Sequence, residues 1–135
     1  MNIELDNDLS LIKGKRIEIE QIILNLAINA SEAMDKGGEL WLRTKNCQGY
    51  KSPKNKNSKN NNFVCIEVED TGSGIKEEYK EKIFQPHFTK KGKDGTGLGL
   101  AVVKNIVEKY RGWIEMDSEY GIGTIFKIFL PAIGV

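Results

Sequence analysis

Two segments of helical periodicity stand among segments of strand periodicity, in an order that no repeating unit produces. Across residues 16–36, Ile19, Ile22, Ile23, Leu26, Ala30 and Ala33 recur at intervals of three and four, which lays them along one side of a helix. Gly37-Gly38 follow, where a left-handed helix end is expected. Residues 98–110 form a second such pattern, with Leu98, Ala101, Val102 and Ile106, and more loosely Val107 and Tyr110, on its inner side. Residues 39–46 and 63–70 instead alternate with period two, so they predict strands burying Leu40 and Leu42, and Val64, Ile66 and Val68. Two more strands are expected at 113–117 and 124–130, the last stopped by Pro131, and two short ones near 3–5 and 9–12. A short helix is expected at 76–84. This mixture lacks the rhythm of a βαβ fold. It predicts an α+β two-layer sandwich: a mixed sheet of about five strands with about three helices on one face.

A single domain over 1–135 is expected, because 135 residues bury a core without disulfides or metal. Hydrophobic residues at 39% and charged residues at 29% fit a soluble globular chain. The net charge of +1 argues against a broad nucleic-acid surface. No apolar run approaches the ~18 residues of a membrane span, and the acidic N-terminus lacks a signal-peptide pattern. A cytoplasmic domain without direct membrane contact is expected. Cys47 and Cys65 are too few for a disulfide framework or a zinc site and read as free thiols. Residues 48–62 are almost wholly Lys, Asn, Ser, Gly, Tyr and Pro, which bury too little apolar surface to offset ordering, so a flexible loop is expected.

The chemistry-bearing residues lie on both sides of a basic segment. Asp70-Thr71-Gly72-Ser73-Gly74-Ile75 closes an apolar strand, and Gly95-Thr96-Gly97-Leu98-Gly99-Leu100 opens a helix. A strand-end carboxylate suits a base, and a helix start free of side-chain bulk suits phosphates. Neither half is a G-x-x-x-x-G-K-[ST] loop or a G-x-G-x-x-G turn after a first strand. An ionised carboxylate only accepts hydrogen bonds, so Asp70 favours adenine, with its amino group, over guanine, with its carbonyl. Read as structure alone, Asp70 and its glycines are a strand-ending turn, and Gly95, Gly97 and Gly99 are a hinge. Asn25 and Asn29 project from one side of the first helix. They are either surface residues or, for an amide oxygen, a ligand to Mg²⁺. Lys90, Lys91 and Lys93 lie in the basic segment as solvated charges or phosphate contacts, and His87 reads as a packing residue.

In this order the segments resemble the catalytic, ATP-binding domain of sensor histidine kinases, within the wider group of gyrase, MutL and heat-shock chaperone ATPases that share the Bergerat fold. Residues 21–30 resemble its asparagine box, 70–75 and 95–100 its two glycine boxes, and 83–91 its phenylalanine box. Residues 121–131 resemble its last hairpin. Asn29-Ala-Ser-Glu-Ala-Met34 is most similar to the nitrogen-regulator-type kinases. The resemblance implies ATP and Mg²⁺ as cofactors, with Asn29 on the metal, Asp70 on the adenine amino group and Thr124 supporting it. Gly72, Gly74, Gly95, Gly97 and Gly99 would shape the pocket and an ATP lid over 84–95, and Ile75, Leu98 and Leu100 would line or cover it. Lys91 and Thr96 belong to the same ATP-binding set. The chain departs from the family pattern at Glu32, where many relatives carry a base, and at His87, where Phe is common.

Position 25 bears on the reaction. The related ATPases and the anti-sigma serine kinases carry a general-base Glu four residues before the metal-binding Asn. Asn25 cannot accept a proton at neutral pH, though Glu18 and Glu32 lie near the same face as substitutes. The resemblance therefore implies transfer of the γ-phosphate to a histidine on a separate dimerisation domain of the same kinase, with a response regulator receiver domain downstream. Alone, the chain is expected to bind Mg-ATP without autophosphorylation. The alternatives are a stand-alone ATPase or serine kinase, and a non-catalytic nucleotide-binding module.

Overall fold

A computed structural model describes residues 2–4, 12, 14–48, 53, 62–85 and 99–132. Five strands, β1 (Asn2–Glu4), β2 (Leu40–Gln48), β3 (Asn62–Asp70), β4 (Trp113–Glu119) and β5 (Gly123–Pro131), form one sheet in the order β1-β2-β3-β5-β4. β1 runs parallel to β2 and every other neighbour is antiparallel. Of the expected second short strand only Ile12 lies among the described residues, and it forms a bridge with Ala132. Two helices, α1 (Arg16–Ala33) and α2 (Gly99–Lys109), share one core with the inner face of the sheet. Ile22, Leu26 and Ala30 of α1 and Val103, Ile106 and Val107 of α2 meet Ile66, Val68, Phe126, Ile128 and Leu130 there.

The third expected helix is a single 3-10 turn at Glu77–Tyr79, followed by turns to Phe84. Lys76 gives it no side-chain cap, so nothing offsets the cost of nucleating a longer helix. Its turns instead serve to seat Ile83 in the core and Phe84 edge-on against Phe126, ring centroids 6.2 Å apart. α1 also stops three residues earlier than its periodicity predicts. The carbonyl of Ala33 accepts the N–H of Ser73 at 2.9 Å, so a distant turn takes the acceptor that a continuing helix would use. The left-handed residue Gly37, φ +89°, bonds back to Met34 beyond that end.

The one-sided alternation expected of β3 is only half of its pattern. Ile66 and Val68 face the helices. Phe63 and Cys65 join Cys47, Trp113 and Phe129 in a second buried cluster, apart from the helix-side core. Trp113 stacks on Phe129 at 4.6 Å and meets Phe63 edge-on at 4.7 Å. Glu67, buried beside them, is held by Lys45 at 2.8 Å and Arg43 at 3.7 Å. These two cations keep the buried carboxylate from being an unpaired polar group.

Cys65 is fully buried, and burial first, then Cys47 and Glu67, push its thiol up from 9.0 to about 12. The folded state thus favours the protonated thiol. Its contribution is complete below about pH 9 and is lost as pH rises towards 12. In a Cys47→Ser background, Cys65 is expected to ignore Ellman's reagent at pH 8 until denaturant is added, and the unfolding midpoint is expected to fall between pH 9 and 11. A native thiol reacting at the free-cysteine rate would contradict this.

Candidate functional site

One row of residues crosses the sheet at the end of β3. Asp70 pairs with Leu40 on one side and Thr124 on the other, and Thr124 pairs in turn with Ser118. Asp70, Thr124 and Ser118 are all buried. The register therefore brings the strand-end acid and Thr124, predicted as its support, next to each other, and adds a serine that sequence reasoning missed. Ser118 looks from sequence like any polar residue near a hairpin turn, and only the pairing of β4 with β5 carries the signal.

The turn after Asp70 is built by backbone closeness. The carboxylate of Asp70 accepts the N–H of Gly72 at 2.8 Å. Gly74 has φ +71°, and a Cβ there would lie 2.3 Å from the carbonyl of Glu119. A Cβ on Gly72 would lie 2.5 Å from the carbonyl of Ala33. The two glycines differ in backbone conformation. Only Gly74 is left-handed, and what both clear is protein backbone: the end of α1 on one side and the β4–β5 turn on the other. Gly121 and Ser73 close the second contact, N–H to carbonyl, at 2.7 Å. Ser118 ties the turn down from below, its Oγ accepting the Ile75 N–H at 2.8 Å. Ile75 is buried in the main core and Leu100 packs against it, half-buried.

The two asparagines of α1 differ. Asn25 has both amide atoms engaged: its Nδ2 donates to the carbonyl of Gly99 at 3.1 Å, and its Oδ1 accepts from Gln21 at 2.7 Å. It thereby joins α1 to the first residue of α2. Asn29 is half-buried and, among the described residues, its amide has no hydrogen-bond partner. It sits one turn, ~6 Å, before the point where α1 meets the glycine turn. An open, partly shielded amide oxygen is a hard donor of the kind Mg²⁺ accepts when substrate phosphates and water complete its shell. The residues present fit that ion. No group of three His, Cys, Asp or Glu side chains among the described residues offers a cage for a metal bound by protein alone.

The two acids considered as substitute bases differ in their distance from this place. Glu18 accepts from the Tyr110 hydroxyl and pairs with Lys109 at 3.0 Å, and these two partners hold its carboxyl below the ordinary value. It also lies about three turns, ~16 Å, from Asn29 along α1. Glu32 is exposed and lies three residues beyond Asn29, less than one turn along α1. Lys91, Gly95, Thr96, Gly97 and Leu98, with His87 and most of the expected lid, lie outside the described residues, as does nearly all of 48–62.

Residues 14–133 match the family described as histidine kinase-, DNA gyrase B- and HSP90-like ATPases, and the chain belongs to that family. Within it the resemblance is to sensor histidine kinases. The chain is 44% identical over 98% of its length to the sensor kinase CckA of Brucella abortus, covering 14% of that protein. It is 37% identical over 95% of its length to the signal transduction histidine-protein kinase AtoS of Escherichia coli, covering 19% of it. It thus spans less than a fifth of these two relatives. The catalytic domain of the histidine kinase ThkA superposes with a TM-score of 0.73 at 32% identity, over 96% of this chain and 78% of that one. Full-length ShkA in complex with AMPPNP gives 0.78 at 25% identity, over 99% of this chain and 26% of that one. Over nearly its whole length the chain is thus similar to the catalytic domains of sensor histidine kinases. Among the described residues no helix is long and apolar enough to cross a membrane.

Proposed function

We propose that this domain binds Mg-ATP between α1, the glycine turn and the start of α2, and donates the γ-phosphate to a histidine on a dimerisation domain of the same kinase. A response regulator receiver domain takes it next. Asp70 accepts the adenine amino group with Thr124 beside it, and Asn29 supplies the protein's oxygen to the metal. Mg²⁺, when bound, neutralises charge on the phosphates. Asn25 and Gly99 set the distance between the helix that holds the metal and the helix whose start faces the phosphates. The place of work is the cytoplasm, where ATP is available.

The observation that carries the reading is the side chain at position 25. Asn25 stands where a water-activating ATPase needs a carboxylate, and both its amide atoms are already bonded. Glu18 is committed to Tyr110 and Lys109. An imidazole acceptor brings its own lone pair, so positioning and electrostatics suffice for its attack. A hydroxyl or a water needs a proton acceptor as well.

Labelled ATP with Mg²⁺ tests this, with the chain alone and with the purified dimerisation domain of its 44% identical relative. Alone, the chain is expected to bind nucleotide and neither label itself nor turn ATP over steadily. With the second domain, acid-labile, base-stable label is expected on that domain. Steady hydrolysis by the chain alone, or acid-stable label on a hydroxyl, would favour the ATPase or serine-kinase reading. No heat of ATP binding would favour a non-catalytic module.

A further inference from the structure

The hydroxyl of Ser118 is saturated, and the way it is saturated sets the direction of its neighbour's proton. Ser118 is 7% exposed, and its Oγ makes three polar contacts. It accepts the Ile75 N–H at 2.8 Å, lies 3.0 Å from the carbonyl of Gly123, and lies 2.8 Å from Oγ1 of Thr124. A serine hydroxyl has one proton and two lone pairs. The Gly123 carbonyl can only accept, so the Ser118 proton goes there. The Ile75 N–H uses one lone pair. The other faces Thr124, whose hydroxyl is therefore the donor of that bond. Thr124 Oγ1 is left with lone pairs and no proton to give, one strand away from Asp70, whose carboxylate when ionised also only accepts.

We propose that Ser118 is a specificity-determining positioning residue of the nucleotide site: by drawing the Thr124 proton to itself, it turns Asp70 and Thr124 into a row of acceptors that selects an exocyclic amino group on the base. The 6-amino group of adenine carries two N–H donors and satisfies such a row. A 6-oxo purine places a carbonyl oxygen against acceptors on both strands. This rests on the reading of the site as an ATP pocket and extends it, because the discrimination no longer belongs to the acid alone. Without Ser118 the Thr124 hydroxyl is free to rotate and donate, and a 6-oxo base then finds the donor it lacks.

The test is calorimetric binding of ATP and of inosine triphosphate, each with Mg²⁺, to the whole chain and its variants. Ser118→Ala is expected to lower the ratio of ATP to inosine triphosphate affinity by about fivefold, the scale of one neutral hydrogen bond. Ser118→Thr, which keeps a hydroxyl in place, is expected to retain the original ratio. A purely structural serine would weaken both nucleotides alike, and an unchanged ratio in Ser118→Ala overturns the proposal. If that variant does not fold because the buried Ile75 N–H loses its acceptor, Thr124→Val and Thr124→Ser give the same reading: the ratio falls in the first and holds in the second, and an unchanged ratio in Thr124→Val overturns it. Failure of the unaltered chain to bind ATP at all would instead refute the pocket itself, and this proposal with it.

Discussion

Asp70→Asn is expected to weaken ATP binding by about 10- to 150-fold, equivalent to about 1.5–3 kcal/mol, the range of a hydrogen bond to a charged group. The contact of this side chain with the glycine turn is expected to survive the change. Asp70 accepts the Gly72 N–H through one oxygen, and an asparagine can keep that bond through its own carbonyl oxygen. The turn, held independently by Ala33–Ser73 and Ser73–Gly121 backbone bonds, has no reason to open. What changes is the second atom of the side chain, which becomes an NH₂ donor where the adenine amino group also donates. Two donors meeting replaces a charge-assisted bond, and the preference for the base inverts, because a 6-oxo purine now supplies the acceptor. Calorimetry with Mg-ATP checks the loss and a circular dichroism melt checks that the fold survives. Affinity within twofold of the unaltered chain would remove Asp70 from the base-binding role.

The sequence was most legible where one element decides its own shape, and least where a partner far along the chain decides it. The strand order could not be read from periodicity, but the residue types could: Val64, Ile66 and Val68 lie in the core as their alternation predicts. The burial of Cys65 and Phe63 on the intervening positions does not follow from the alternation, which assumes that one face is wet, whereas theirs is covered. Val103 was missed because α2 packs against both α1 and the sheet, which widens its buried face beyond one stripe. The end of α1 is set by Ser73, forty residues on, and not by its own capping residues. At the site, Asp70 was legible because a carboxylate before a glycine turn has a local signature. Gly72 and Gly74 were legible as necessary glycines but not in their reason, since the backbones they clear belong to residues 33 and 119. Asn25 looked like a twin of Asn29 because helical spacing makes them neighbours. Its commitment to Gly99, 74 residues away, is a fact of tertiary packing alone.

That difference between the two asparagines predicts that they separate under substitution. Asn29→Ala is expected to leave the melting temperature unchanged or slightly raised. Its amide bonds to nothing among the described residues, and alanine is the better helix former by about 0.5 kcal/mol. The same change removes the protein's oxygen from the metal, and phosphotransfer to the separate dimerisation domain is expected to fall by about 100-fold, about 2.7 kcal/mol of transition-state stabilisation. Raising Mg²⁺ should recover part of the loss, because the ion can still be held by phosphates and water. Asn25→Ala does both kinds of damage. It frees the Gly99 carbonyl and the Gln21 amide, which costs about 0.5–1.5 kcal/mol and a few degrees of melting temperature. It also unties the start of α2 from α1, so activity should fall with no recovery from added Mg²⁺. Thermal melts and Mg²⁺ titrations of the two variants, run side by side, decide the matter. Equal stability losses, or equal rescue by Mg²⁺, would mean that the two side chains share one role, and that the metal is held elsewhere.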